Sequence, residues 1–132
     1  MGPREPYRNH IEHKTVLAIE AEPAHPELPE SASYWHINFY VEGYCLALTT
    51  NADTDEIIAT VEAAATVPPT DPALLADLRG LIGRRFGWSW YAVNSQGYGD
   101  MLILAFDGIA PQLAFLVEAS MIHVNRIASL EA

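Results

Sequence analysis

Four stretches of this chain alternate their side chains with a period of two and stop at turn signals, which points to antiparallel sheet. The clearest is Tyr34 to Val41, with Trp35, Ile37, Phe39 and Val41 on one face and His36, Asn38 and Tyr40 on the other. Aromatic and β-branched content of that kind suits a pleated surface. Glu42-Gly43 reads as a tight turn, after which Tyr44 to Thr49 returns antiparallel. Thr15 to Ala21 suits a first strand. Phe86, Trp88 and Trp90 alternate along another, as do Leu113, Phe115 and Val117. Met101 to Phe106 is apolar throughout and is expected in the middle of the sheet, covered on both faces. Met121 to Ile127 follows a bend at Ala119-Ser120 and reads as the final strand.

One segment follows a different period. Asp71 can cap a helix, Pro72 suits a first helical position, and Leu74, Leu75, Leu78, Leu81 and Ile82 recur on one stripe before Gly83. Residues 57 to 65 are compatible with strand or helix, and their branched side chains favour strand. The resulting expectation is an α+β fold: an antiparallel sheet of six or seven strands with one main helix, about residues 71–83, packed on one face. The polar residues 1–13 read as a mobile N-terminal segment and residues 14–132 as a single domain.

Charge narrows the partners. Seventeen acidic residues against seven Lys and Arg give a formal charge of −10. Nucleic acid, whose binding requires phosphate neutralisation, is not an expected partner, whereas a basic protein surface is. No apolar run has the length of a membrane-spanning helix and the first residues lack the apolar core of a secretory signal, so a cytoplasmic location is expected, with no membrane partner. The single cysteine, Cys45, sits in an apolar run and reads as a buried structural thiol.

Catalytic and metal signatures are sparse. Asn51-x-Asp53-x-Asp55-Glu56 concentrates oxygen ligands, but a calcium loop needs glycine where Glu56 stands, so a self-bonded acidic turn is the better reading. His10-x-x-His13, with His25 and His36, could be assembled into a transition-metal site, but the intervening loop fixes no geometry and no His-Glu-x-x-His pattern occurs; His123 reads as a structural histidine on a strand. Cys45 has no local activator and no nucleophile elbow occurs. Asp100, Asp107 and Glu118 can form carboxylate pairs only through the fold. No cofactor or metal is implied, and an enzymatic role has no support.

Asn94-Ser-Gln-Gly-Tyr-Gly-Asp100 is the most distinctive segment, combining glycine freedom with amide groups and an amphipathic Tyr98. Its amides can close their own turn or meet a partner. Thr54-Asp-Glu-Ile57, Trp90, the Asn94-x-Gln-Gly-Tyr-x-Asp100 motif, Leu102 to Phe106 and Leu113 to Val124 together resemble a family of small uncharacterised bacterial domains, over roughly Tyr34 to Ile127. That type resembles acidic immunity proteins, which neutralise a toxin by binding it. The resemblance implies partner binding and no catalytic residues.

Two functions follow as expectations. The first is an acidic interaction module binding a basic partner through Asp53, Asp55 and Glu56 at one turn and Gln96, Tyr98 and Asp100 at another. The second is a small-ligand protein or enzyme with an aromatic pocket formed by Trp88, Trp90, Tyr91 and His123. The chain is expected to be a monomer or a homodimer, the latter with a seam at Tyr40 and Tyr44.

Overall fold

The computed structural model describes residues 10–28, 31–71 and 73–127. The described residues form eight strands: β1 (Ala18–Pro23), β2 (Ser33–Val41), β3 (Tyr44–Asn51), β4 (Glu56–Ala63), β5 (Phe86–Val93), β6 (Gly99–Phe106), β7 (Pro111–Glu118) and β8 (Met121–Arg126). All pairings between them are antiparallel, in the order β4-β3-β2-β8-β7-β6-β5, with β1 also on β2. Residues 57–63, open between strand and helix in the sequence, are strand.

β2 joins the two halves of the sheet. Ile37 to Val41 pair with β3, whereas Ser33 and Tyr34 pair with β8. The sheet therefore splays beyond that short junction, and β4 comes round to contact β6 and β7. The result is a curled half-barrel. Lys14 to Val16 also bond to Arg84 to Phe86, so the leads into β1 and β5 are tied together.

Period two explains what fills the interior. Ile37, Phe39 and Val41 of β2, Leu46 and Leu48 of β3, and Leu113, Phe115 and Val117 of β7 point into one core. Phe39 meets Phe86 and Phe115 edge-on, with ring centroids 5.7 and 5.9 Å apart. Each fully buried ring contributes about 1.5–3 kcal/mol, so this trio holds the two halves together. Ile11, which the sequence grouped with the N-terminal segment, is fully buried in the same core.

The expected α+β architecture with a helix over 71–83 is not formed. The helix formed in this segment, α1, is the four-residue Ala76–Arg79. Asp71 does cap a turn, its carboxylate accepting the Ala73 N–H at 2.9 Å, but Leu75 has ψ 139°, which interrupts the helix. One tertiary and one local side-chain bond claim groups a longer helix would use. The Leu75 N–H donates to the Tyr34 hydroxyl at 3.2 Å, and the Leu74 carbonyl accepts from Arg79 Nε at 2.9 Å. Gly80 and Gly83, the latter at φ 88°, disfavour propagation downstream. The leucine stripe still functions as a stripe, with Leu74, Leu78 and Leu81 buried in the core.

Two further corrections concern strands. β6 is second from the end of the sheet path rather than central, and its Met101 and Ile103 are half-buried on the outer face. Phe86 does not share a face with Trp88 and Trp90. The register shifts between Phe86 and Ser89, so Phe86 is buried, Ser89 and Tyr91 pair with buried Leu104 and Leu102, and Trp88 is 51% exposed. Gly87 lies in this bulge. A Cβ there would overlap the Gly108 carbonyl, so the close approach of two backbones requires glycine.

Candidate functional site

Three turns meet at the end of the half-barrel where β5 finishes. The Asn51–Asp55 turn is closed by Asn51, whose Oδ1 accepts the Asp53 N–H at 3.0 Å. Asp55, at φ 55°, carries the chain into β4 and reaches the β7–β8 turn, its Oδ1 accepting the Ser120 N–H at 3.0 Å and Oγ at 3.3 Å. That second turn has both Ala119 and Ser120 at positive φ, a type I′ conformation usually left to Asn and Gly. Asp55, together with Thr50 Oγ1 on the Ser120 carbonyl at 3.1 Å, holds the uncommon turn in place.

Glu56 supplies the third tie. One carboxylate oxygen accepts Thr54 Oγ1 at 2.9 Å and the other accepts the Gly99 N–H at 3.1 Å, joining the start of β4 to the start of β6. Asn94 closes the β5–β6 loop from within: its Oδ1 accepts the N–H groups of Gln96 and Tyr98, and its Nδ2 donates to Asp100 Oδ2 at 3.2 Å. Tyr91 leans on the same corner, donating its hydroxyl to the Gly99 carbonyl at 3.3 Å. Burial, reinforced by the nearby Glu56 and Asp100 carboxylates, raises the Tyr91 phenol above its ordinary value.

The structure thus gathers all six proposed partner-binding residues at one end and divides them by role. Asp55 and Glu56 each accept a backbone N–H from a neighbouring turn, that of Ser120 and of Gly99. Asp53, Gln96 and Tyr98 remain exposed, with Asp100 half-buried beside them. Ser120, which completes the corner, carries no sequence signal, because only the fold brings it to Asp55.

The aromatic pocket expected from Trp88, Trp90, Tyr91 and His123 does not assemble. Trp88 and Trp90 lie on the outer face with ring centroids 6.4 Å apart, and Tyr91 turns inward. His123 lies on β8, separated from β5 by β6 and β7. Its Nδ1 is 2.8 Å from Ser33 Oγ across the β2–β8 junction, and its Nε2 is 3.7 Å from Glu118. Ser33 is only 7% exposed, so its hydroxyl fastens that junction and is not presented as a nucleophile. The three carboxylates each have another partner: Glu118 lies 3.7 Å from His123, Asp100 accepts from Asn94, and Asp107 binds Arg84 and the Arg85 N–H.

Other sequence candidates are engaged within the chain. The Tyr40 hydroxyl donates to Glu20 at 3.1 Å, and Tyr44 stacks on His10 beneath Lys14. Burial pushes the Tyr40 phenol up to about 12, with Cys45 and Glu20 adding to the effect. Cys45 is buried and its thiol is likewise raised, first by desolvation, which leaves little thiolate at neutral pH. Among the described residues, no three His, Cys, Asp or Glu side chains are grouped so as to hold a metal ion, and no helix is long and apolar enough to cross a membrane.

The opposite end of β5 carries a hollow of about 190 Å³ where Arg85 and Trp88 meet the β6–β7 turn. A wider one, about 560 Å³, lies between Glu12, Lys14, Leu17 and Glu42.

The chain belongs to a family of unknown function, DUF6334, whose model matches residues 4–131. The match agrees with the resemblance to an uncharacterised domain family and reaches further toward the N-terminus than the motifs that carried it. No curated protein and no solved structure matches the chain.

Proposed function

We propose that this chain is a small acidic protein-interaction module that takes a basic partner at its three-turn end. The observation that carries the reading is the tie of Glu56 to Gly99 and of Asp55 to Ser120, which holds three separate turns as one surface. A preorganised surface loses less entropy on binding than three independent loops. Exposed Asp53, Gln96 and Tyr98, with Asp100, then supply charge, amide and an amphipathic ring. The chain's charge of −10 favours encounter with a cationic partner. An inhibitor or immunity role is the finer form of this proposal, since occupying a partner's basic surface is sufficient for inhibition and needs no catalytic group.

The test is affinity capture of the tagged chain in its native host at low salt, comparing wild type with the double variant Asp53→Lys, Asp100→Lys. A stoichiometric basic partner should be recovered with wild type, released as salt rises, and lost with the double variant. Equal recovery by both proteins would remove this surface from consideration.

A further inference from the structure

We infer that the hollow at the Arg85 end of β5 binds a small carboxylate with a flat apolar body. This goes beyond the partner surface, which lies at the other end of the same strand.

The described residues include Lys14, Arg79, Arg84, Arg85 and Arg126. Lys14 lies over the Tyr44 ring at 5.7 Å, Arg79 bonds the Leu74 carbonyl, Arg84 pairs with Asp107 at 3.3 Å, and Arg126 reaches Asp77 at 3.9 Å. Among these, Arg85 alone has a side chain with no hydrogen bond, ion pair or ring contact. A guanidinium is a planar fork of donors that matches a carboxylate with two parallel bonds.

Arg85 shares its hollow with His13, Trp88, Asp107, Gly108 and Ile109. Trp88 and Ile109, at 51% and 62% exposed, give the hollow apolar walls. Asp107 does not cancel the Arg85 charge, because its Oδ1 accepts the Arg85 backbone N–H at 2.8 Å and its Oδ2 faces Arg84. His13 stands at the rim at φ 71°, fixed there by its N–H on the Phe86 carbonyl at 2.8 Å. A non-glycine residue held in that region is a feature that clusters at binding sites.

Size and charge select the ligand class. The hollow, about 190 Å³, is roomy enough for one ring and its carboxylate. The strongly acidic chain repels multiply charged anions at long range, so a single negative charge beside an apolar ring suits the site better than a phosphate.

Benzoate is the probe, followed by amide and indole NMR shifts on the full chain, with benzamide as its uncharged match. Benzoate should give saturable shifts at Arg85, Trp88 and Gly108 and bind about ten-fold or more tightly than benzamide. Arg85→Gln, which keeps the backbone bond to Asp107, should weaken benzoate by a similar factor, while Arg126→Gln leaves it unchanged. Equal binding of the two probes, absence of saturable shifts at those positions, or undiminished binding by Arg85→Gln would each overturn the inference. The double variant at Asp53 and Asp100 should retain benzoate, which separates this site from the partner surface.

Discussion

The two ends of β5 use charge in opposite ways. Where the strand finishes, the Asp55 and Glu56 carboxylates accept backbone N–H groups from other turns, so part of the acidic excess is structural. Where it begins, Arg84 is paired with Asp107 while Arg85 has no side-chain partner among the described residues and lies beside exposed apolar side chains. The lesson is that a charge count says how many groups are ionised and not which of them are available. On this chain the abundant sign is partly committed, and the scarce sign supplies an uncommitted group.

The contrast can be broken at several points. The largest effect is expected at the bulge that opens the Arg85 end. Gly87→Ala drives a methyl into the Gly108 carbonyl, with backbone on both sides and nothing flexible to yield, and should cost about 3 kcal/mol in denaturant unfolding. Gly99→Ala at the other end meets the tip of the Tyr91 side chain, which can swing aside, and should cost less.

Next comes the division among the carboxylates. Glu56→Ala leaves the Gly99 N–H without its acceptor and should cost about 1–3 kcal/mol, whereas exposed Asp53→Ala should stay within about 0.5 kcal/mol. Equal stability of these two variants in urea would dissolve the distinction between structural and available acid.

The smallest expected effect is a pH dependence at the alkaline limit. The Tyr40 phenol is raised from about 10 to about 12 in the fold, so its contribution is intact below pH 10 and declines as pH rises toward 12. Tyr34, Tyr91 and Cys45 are raised in the same direction. Thermal unfolding of Tyr40→Phe should show a shallower fall over that window than wild type.

Much of this fold was legible from residue order. The hairpin at Glu42-Gly43 follows from period and turn chemistry, which are local properties, whereas residues 57–65 stayed open between strand and helix and the type I′ turn at Ala119-Ser120 depends on Asp55. The fate of 71–83 was not legible, since a leucine stripe at helical spacing records which side chains are buried and leaves open whether every backbone group closes on its own segment. Tyr34, 41 residues away, takes the Leu75 N–H. The face of Trp88 was hidden for a similar reason: the extra residue at Gly87 reverses alternation, and its cause is the Gly108 backbone.

For the candidate surfaces, the sequence by itself determined the acidic excess and the polar and aromatic side chains of the Asn94 loop, whose amides could close their own turn or meet a partner. Only the tertiary structure decided that Asp55 would hold Ser120, that Glu56 would hold Gly99, and that Arg85 would stand free beside Trp88. Period and turn signals arise from neighbours along the chain. Availability of a charge depends on partners 43 and 65 residues away, which meet only because the sheet curls.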